Sequence, residues 1–311
     1  MLSSSSRMAG SGEALLQTEK KRASARLIES LTDGPLLRSI HKHQLDFGHR
    51  LTGADPMQTY DTQLLAGDFV FLEGPRWHQG HLWFSDLMGH KVYKMTARGA
   101  RSVVCEVPER PSGIGFLPDG TPLIVSMRNR KLMKFAGGRL TVHADLSELA
   151  RGDLNDTVTD AQGRTYVGNI GYDLWGGGER APADLILVEA SGAARIVARG
   201  FDLPNGTVIK DGGKTLVIAE SWGNRLTAFE IGEDGGLSNR RVYAEFDERT
   251  PDGICLDAEG GIWVACFGTG EFIRVLADGE IDAVVRCGGK RAVACQLGGD
   301  DGKTLFCLTY D

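Results

Sequence analysis

The feature of this sequence that most constrains its fold is a unit that recurs about every 44 residues from position 70 onward. Each copy has a small polar or acidic residue before an apolar run, then a turn that contains glycine, then a second apolar run. The copies begin at residues 73, 112, 155, 205, 252 and about 295. A period of this length, with paired strands bounded by glycine turns, is typical of a β-propeller with four strands per blade. The sequence therefore predicts an all-β fold, a six-bladed β-propeller.

The composition agrees with this fold and excludes two kinds of partner. Glycine accounts for 42 of the 311 residues, about twice the usual share of about 7%, as expected for a chain with many tight turns. The formal net charge of −6 disfavours binding to nucleic acid, because phosphates require clustered Lys and Arg. No apolar run approaches the roughly 18 residues of a membrane span. We therefore expect a small-molecule substrate, with no nucleic-acid or membrane partner.

The first part of the chain differs from the repeats. Residues 12–31 carry Leu16, Ala23, Leu27 and Leu31 at near-helical spacing, and Gly34 with the following proline ends this pattern. We predict that residues 1–55 form a short N-terminal extension with one amphipathic helix and an irregular segment. Residues 56–311 would form the propeller.

The sixth repeat is incomplete. Only three residues follow Leu308, so the last blade lacks two strands. The run from Thr62 to Val70 can supply the outer strand from the N-terminal side. The third strand would come from residues 36–60, or else the chain stops before the natural end of the domain.

The six cysteines favour a reducing compartment. They form no C-x-x-C pair, and most lie inside apolar runs, where a free thiol behaves as a small hydrophobic group. The N-terminus has no continuous apolar segment of the kind found in secretory signals. We expect a cytoplasmic protein, whose oligomeric state the sequence does not determine.

Residues at the same position of each repeat must converge on the channel of a propeller. Just before the innermost strand of successive blades these are Glu73, Ser112, Asn155, Asn205 and Asp252. Carboxylate and amide oxygens suit a hard divalent cation, with Ca²⁺ first, Mg²⁺ or Mn²⁺ next, and Zn²⁺ last for want of His and Cys. The alternative is that each X-Gly pair is an ordinary turn. Glu73 and Asp252 would repel each other in a narrow channel, and a bound cation would remove this repulsion. This favours the cation site.

The segments that follow the second strand of each blade should form the rim of the same pocket. They carry Arg128, then Tyr172 and Trp175 in a long glycine-rich segment, then Trp222. Aromatic and polar side chains around a metal suit a polar, ring-shaped ligand. The glycine run itself fits a mobile lid or a flexible surface loop equally well.

Four motifs resemble those of the senescence marker protein (regucalcin) and gluconolactonase family. They are Glu73-Gly-Pro-Arg-Trp, Asn155-Asp with Asp160-x-x-Gly-Arg, Leu203-Pro-Asn-Gly, and Pro251-Asp-Gly with Trp263-Val-Ala. The resemblance covers about residues 66–308 and implies a six-bladed propeller with one catalytic divalent cation in its channel.

The resemblance also implies roles for individual residues. Glu73, Asn155, Asn205 and Asp252 would bind the metal, Asn155 also contacting substrate, and Asp252 would be the catalytic general base of lactone hydrolysis. Ser112, Asp153 and Arg128 would orient the substrate, and Tyr172, Trp175 and Trp222 would form walls. Sugar-lactonase members often carry Arg where this chain has Asp153, and Arg128 is the candidate to replace that charge.

Other functions fit the same residues. One metal can serve a phosphotriesterase, or a ring-opening or isomerising enzyme, as well as a lactonase. A non-catalytic propeller that binds a metabolite or calcium is a further alternative. The oxygen constellation favours catalysis.

Overall fold

The computed structural model describes residues 57–311 and, by their backbone alone, residues 39–44. Every regular element in these ranges is a β-strand. The described residues therefore contain no helix that is long and apolar enough to cross a membrane. The prediction of an all-β propeller is confirmed. The helix predicted within residues 12–31 lies outside the described residues.

Five sheets are complete blades, each built from four consecutive antiparallel strands. In each of these blades the first strand along the chain is the innermost one. The bounds of the four strands are given in chain order. Blade 1 consists of β4 (Leu72–His78), β5 (His81–Asp86), β6 (Lys91–Met95) and β7 (Arg101–Glu106). Blade 2 consists of β8 (Pro111–Phe116), β9 (Pro122–Ser126), β10 (Lys131–Ala136) and β11 (Arg139–Asp145). Blade 3 consists of β12 (Leu154–Thr159), β13 (Thr165–Asn169), β14 (Ala183–Val188) and β15 (Ala194–Phe201).

Blades 4 and 5 continue the same pattern. Blade 4 consists of β16 (Pro204–Lys210), β17 (Thr215–Glu220), β18 (Arg225–Ile231) and β19 (Leu237–Glu245). Blade 5 consists of β20 (Pro251–Leu256), β21 (Ile262–Cys266), β22 (Glu271–Val275) and β23 (Ile281–Arg286). A fifth strand, β2 (Gln58–Asp61), pairs with β23 in the parallel direction. No sequence pattern indicated this pairing.

The last sheet joins strands from the two ends of the described chain. Its order is β24 (Arg291–Gly298), β25 (Thr304–Tyr310), β1 (Ser39–Gln44) and β3 (Gln63–Ala66). The outer strand expected within residues 62–70 is therefore confirmed as β3. The third strand, β1, comes from residues 36–60. This is the first of the two alternatives considered for the incomplete blade. Ser39–Gln44 lies in the part of the extension predicted to be irregular, but the structure pairs it with β25 along its length.

The innermost strands contact one another around a closed ring. The contacts run from β4 through β8, β12, β16, β20 and β24, and β24 contacts β4 again. Apolar side chains fill the space between neighbouring blades, as where Val217 of blade 4 shares a buried cluster with Val264 and Ile273 of blade 5. Burial of this kind is the main favourable contribution to folding. The ring brings the start of every innermost strand to one end of the channel.

Candidate functional site

The innermost strands of blades 1 to 5 each have a break in their pairing register where the predicted site residues lie. The breaks fall between Glu73 and Arg76, between Leu154 and Thr157, between Pro204 and Thr207, and between Pro251 and Ile254. Blade 2 has the same break between Pro111 and Ile114. A bulge of this type bends the strand and redirects a side chain. The repeated irregularity explains how residues at one position of every repeat leave the blade and point toward the axis.

The glycines that follow these residues are not turn residues. A Cβ added to Gly206 would lie 2.4 Å from the backbone nitrogen of Ile254 in the next blade. A Cβ on Gly253 would lie 2.3 Å from the Cβ of Ala294. Glycine is required here because adjacent innermost strands approach closely at the axis. The reading of these X-Gly pairs as ordinary turns is therefore wrong.

The four predicted metal ligands line one pocket at the end of the channel. Glu73, Asn155, Asn205 and Asp252 all contribute to its wall, together with Trp175 and Trp222. The rest of the wall is mainly apolar and consists of Phe71, Leu87, Met127, Leu174, Leu203, Ser221, Thr250 and Phe267. A few convergent polar groups in an apolar cleft are typical of a small-molecule site.

The two carboxylates of this pocket are held in an unfavourable environment. Burial raises the pKa of Glu73 well above its usual value, and the nearby Asp252 and Asp156 raise it further. Burial likewise raises the pKa of Asp252, with a contribution from Asp156 that a hydrogen bond with Asn205 partly offsets. Both groups are less than a tenth exposed. Two buried like charges are stabilised by a bound cation, which favours their ionised forms.

Both amide groups of the pocket are oriented by hydrogen bonds that their nitrogen atoms donate. Asn155 donates its Nδ2–H to the carbonyl of Pro204 at 3.1 Å, and Asn205 donates to Ser221 Oγ at 3.2 Å. Ser221 Oγ in turn donates to the carbonyl of Pro251 at 2.7 Å. The chain of hydrogen bonds fixes the orientation of Asn205, whose Oδ1 atom is therefore free to accept.

The residues fit a hard divalent cation. Within residues 57–311, Asn205 Oδ1 and Asp252 Oδ1 are buried and have no hydrogen-bond partner. Buried polar atoms are rarely left unpaired, so such atoms call for an explanation. No group of three His, Cys, Asp or Glu side chains in the described part of the chain could hold a metal. Any cation here would rely on two carboxylates supplemented by amide oxygens, a donor set that suits Ca²⁺ better than Zn²⁺.

Sequence reasoning missed three polar residues next to this set, namely Asp156, Arg76 and Ser221. Asp156 is buried and accepts hydrogen bonds from Arg76 Nη2 at 3.0 Å and from the backbone of Thr157 at 2.8 Å. Its charge acts on both Glu73 and Asp252. Asp156 and Arg76 both lie within the motifs quoted above, which was the available signal. No such signal pointed to Ser221, because its role depends on its hydrogen bond to the carbonyl of Pro251 in the next blade.

Four residues predicted to contact substrate are not part of this pocket wall. Ser112 is fully buried, and its carbonyl accepts a hydrogen bond from Ser85 at 2.6 Å. Arg128 is exposed, and Asp153 is half-buried. Tyr172 lies behind Trp222, whose Nε1–H donates to the tyrosine hydroxyl at 3.0 Å. Tyr172 thus supports the wall that Trp222 forms rather than lining the pocket itself.

Comparison with known proteins places the chain in a family. Residues 71–311 match the model of the SMP-30/Gluconolactonase/LRE-like region. The chain belongs to this family. It is 28% identical over 251 residues to regucalcin of Danio rerio, covering 75% of this chain and 81% of that protein. It is 24% identical over 246 residues to 6-deoxy-6-sulfogluconolactonase of Pseudomonas putida, covering 76% of this chain and 82% of the relative.

Solved structures of this family share the fold. A gluconolactonase of Xanthomonas campestris superposes with a TM-score of 0.68 at 20% identity, over 89% of this chain and 98% of the other. Regucalcin of Agrobacterium tumefaciens, described as a calcium-binding protein, superposes with a TM-score of 0.66 at 22% identity. That match covers 81% of this chain and 96% of the neighbour. At these identities the structural likeness establishes the propeller fold alone.

Proposed function

We propose that this chain is a divalent-metal-dependent hydrolase that opens a lactone, with Ca²⁺ as the preferred cation. One observation carries the proposal. Two buried carboxylates, Glu73 and Asp252, line one pocket with Asn155 and Asn205, and the oxygens Asp252 Oδ1 and Asn205 Oδ1 have no hydrogen-bond partner within residues 57–311. Relatives named as a sulfogluconolactonase and as a pentonolactonase, the latter from Haloferax volcanii, support a lactone as the substrate class. We further infer that the sheet of β24, β25, β1 and β3 serves as a sixth blade.

Glu73, Asn155, Asn205 and Asp252 would hold the cation. When bound, a divalent cation supplies a Lewis acid that polarises a carbonyl and stabilises an oxyanion. Asp252 has a second task as general base, because its Oδ1 has no other partner in residues 57–311 and can accept the proton of an attacking water. The hydrogen bond with Asn205 keeps Asp252 in place while it does so.

The remaining residues orient the substrate and limit the access of water. Trp175 and Trp222 form aromatic walls, and the bond from Trp222 to Tyr172 fixes the orientation of one indole ring. The segment from residue 172 to 178 is held by its own hydrogen bonds, with Asp173 accepting from the backbone of Gly176 at 2.8 Å and of Gly178 at 2.7 Å. It therefore acts as an ordered wall of the site.

We also propose a cytoplasmic location. All six cysteines lie within the described residues, and all six are free thiols, five of them buried. Disulfides are rare where the compartment keeps thiols reduced.

A hydrolysis screen tests the proposed function. Sugar, aliphatic and aromatic lactones would be assayed by acid release with a pH indicator, with added Ca²⁺ and after chelation. We expect acid release that is lost on chelation and restored by Ca²⁺. A folded, Ca²⁺-loaded protein that hydrolyses no lactone in the panel would contradict the proposal and favour an isomerising or non-catalytic role.

A further inference from the structure

Two hydrogen-bond donors without partners lie side by side at the rim of the pocket. Arg110 Nη1 and Trp175 Nε1 are both buried atoms, and neither has a hydrogen-bond partner within residues 57–311. The guanidinium carbon of Arg110 lies 4.8 Å from the centre of the Trp175 ring. Stacking of this kind orients a guanidinium group and leaves its N–H groups available at the edge. The pair thus presents two donors and no acceptor.

The backbone places Arg110 at the level of the pocket wall. It lies two residues before Ser112, the same position that Phe71, Asp153, Leu203 and Thr250 occupy in their repeats. Of these four residues, Phe71, Leu203 and Thr250 line the pocket. Arg110 and Leu203 also share a left-handed backbone, with φ angles of 66° and 59°. The backbone carbonyl of Arg110 accepts a hydrogen bond from Met127, another wall residue, at 2.9 Å.

The charge of Arg110 is not neutralised by a direct ion pair. Arg110 is half-buried, and other arginines with little exposed side chain are paired, as Arg76 is with Asp156 at 3.0 Å and Arg274 is with Asp257 at 2.6 Å. Arg110 has no carboxylate within ion-pair distance in the described chain. Burial and the charge of Arg128 lower its pKa, and the charges of Asp153 and Glu109 raise it. An arginine nevertheless stays cationic in proteins, so this one has an unused charge.

We propose that Arg110 and Trp175 form a subsite for an anionic substituent of the substrate. The carboxylate, sulfonate and phosphate groups share the required chemistry, since each offers several oxygen acceptors to a guanidinium group. The subsite lies beside the channel carboxylates rather than among them, so it would bind a charged group remote from the lactone ring. It replaces exposed Arg128 as the cation that selects substrate. The proposal rests on the proposed function only in naming a lactone as the molecule that carries the anion.

A pair of lactones tests the specificity. Glucono-1,4-lactone and glucaro-1,4-lactone differ in carrying a terminal hydroxymethyl group or a terminal carboxylate. We expect Arg110→Gln to lower kcat/KM for the carboxylate-bearing lactone by roughly 10- to 100-fold, the usual cost of a charge-assisted hydrogen bond. The neutral lactone should change by less than about three-fold. Trp175→Phe keeps a ring beneath the guanidinium but removes the N–H, so it should show a smaller loss of the same selectivity. Arg139→Gln, at an exposed position of blade 2, is the matched control.

Direct binding separates this proposal from the proposed function. Gluconate, glucarate and 6-phosphogluconate would be titrated into the wild-type protein and Arg110→Gln by calorimetry. Tighter binding of glucarate or 6-phosphogluconate than of gluconate, lost in Arg110→Gln, supports the subsite even if no lactone is hydrolysed. Tighter binding of glucarate would identify a carboxylate as the group bound, and tighter binding of 6-phosphogluconate would identify a phosphate. Equal binding of all three, or an equal loss of kcat/KM for both lactones, would overturn the subsite whatever the hydrolysis screen shows.

Discussion

The channel carboxylates and Glu220 of blade 4 are both buried, yet their surroundings differ in kind. Glu220 accepts hydrogen bonds from Arg225 at 2.9 and 3.0 Å, from Arg240 at 3.0 Å, and from Thr227 and a backbone N–H. Burial alone would raise the pKa of Glu220, but these bonds outweigh it and hold the pKa below its usual value. Glu73 and Asp252 have raised pKa values instead.

The difference separates a carboxylate that stabilises the fold from carboxylates that a ligand must stabilise. A buried charge with a full set of partners strengthens its own surroundings, and removing one partner is costly. Buried carboxylates whose partners do not offset the cost of burial destabilise the folded state and persist where function requires them. We therefore expect substitutions in the two regions to affect different properties.

The largest effect is expected at the channel. Asp252→Asn should lower lactone turnover by about 1000-fold or more, because it removes both the general base and a charged ligand. Circular dichroism should show an intact fold. Asp278→Asn makes the same chemical change at an exposed turn and should leave the rate unchanged. Turnover of Asp252→Asn within ten-fold of the wild type would refute the assignment of Asp252 as the base.

The opposite result is expected at Glu220. Glu220→Gln should lower the free energy of unfolding by about 3 kcal/mol, since it leaves Arg225 and Arg240 without their buried anion. Glu73→Gln in chelator-treated protein should not lower it, because it removes a repelling charge. Chemical denaturation of both variants makes the comparison. Equal destabilisation by the two substitutions would contradict the distinction between the regions.

A smaller effect should follow from loosening an amide ligand. Ser221→Ala removes the hydroxyl that joins Asn205 to the carbonyl of Pro251. The affinity for Ca²⁺ should fall about ten-fold, as is usual when a residue that orients a ligand is lost. Ser191→Ala, on an exposed turn, is the control. Unchanged affinity in Ser221→Ala would show that Asn205 does not need this support.

The smallest effect concerns pH. The folded-state pKa of Glu220 is depressed, so its contribution to stability is complete above its unfolded pKa and is lost as pH falls through the folded value. Glu220→Gln should therefore flatten the decline of stability below about pH 4.5, near the ordinary pKa of a glutamate. Melting temperatures measured across the acidic range would show this. A decline as steep as in the wild type would mean that other carboxylates dominate.

Much of the fold followed from the sequence because its repeats are local patterns. The alternation of apolar runs and glycine turns predicted the strand pairs of each blade, and equal position in the repeats predicted that Glu73, Asn155, Asn205 and Asp252 meet. The parallel pairing of β2 with β23 was not predictable, since it joins segments more than two hundred residues apart that no short turn connects.

The details of the site depended on contacts between blades. Ser221, which accepts from Asn205, donates to the carbonyl of Pro251 in blade 5, and Trp222 of blade 4 donates to Tyr172 of blade 3. Arg110 was overlooked because its place at the rim follows from its backbone and from Trp175, while Arg128 was the more obvious charge. Position in a repeat predicts which side chains converge, but not which atoms already have partners.

Calorimetric titration of Ca²⁺ into chelator-treated protein tests the central distinction most directly. We predict one binding site in the wild type, the same site in Glu220→Gln at a temperature where that variant is folded, and its loss in Asp252→Asn. Binding of Ca²⁺ to Asp252→Asn with wild-type affinity and stoichiometry would contradict the account, because the unpaired channel oxygens would then not be the cation site.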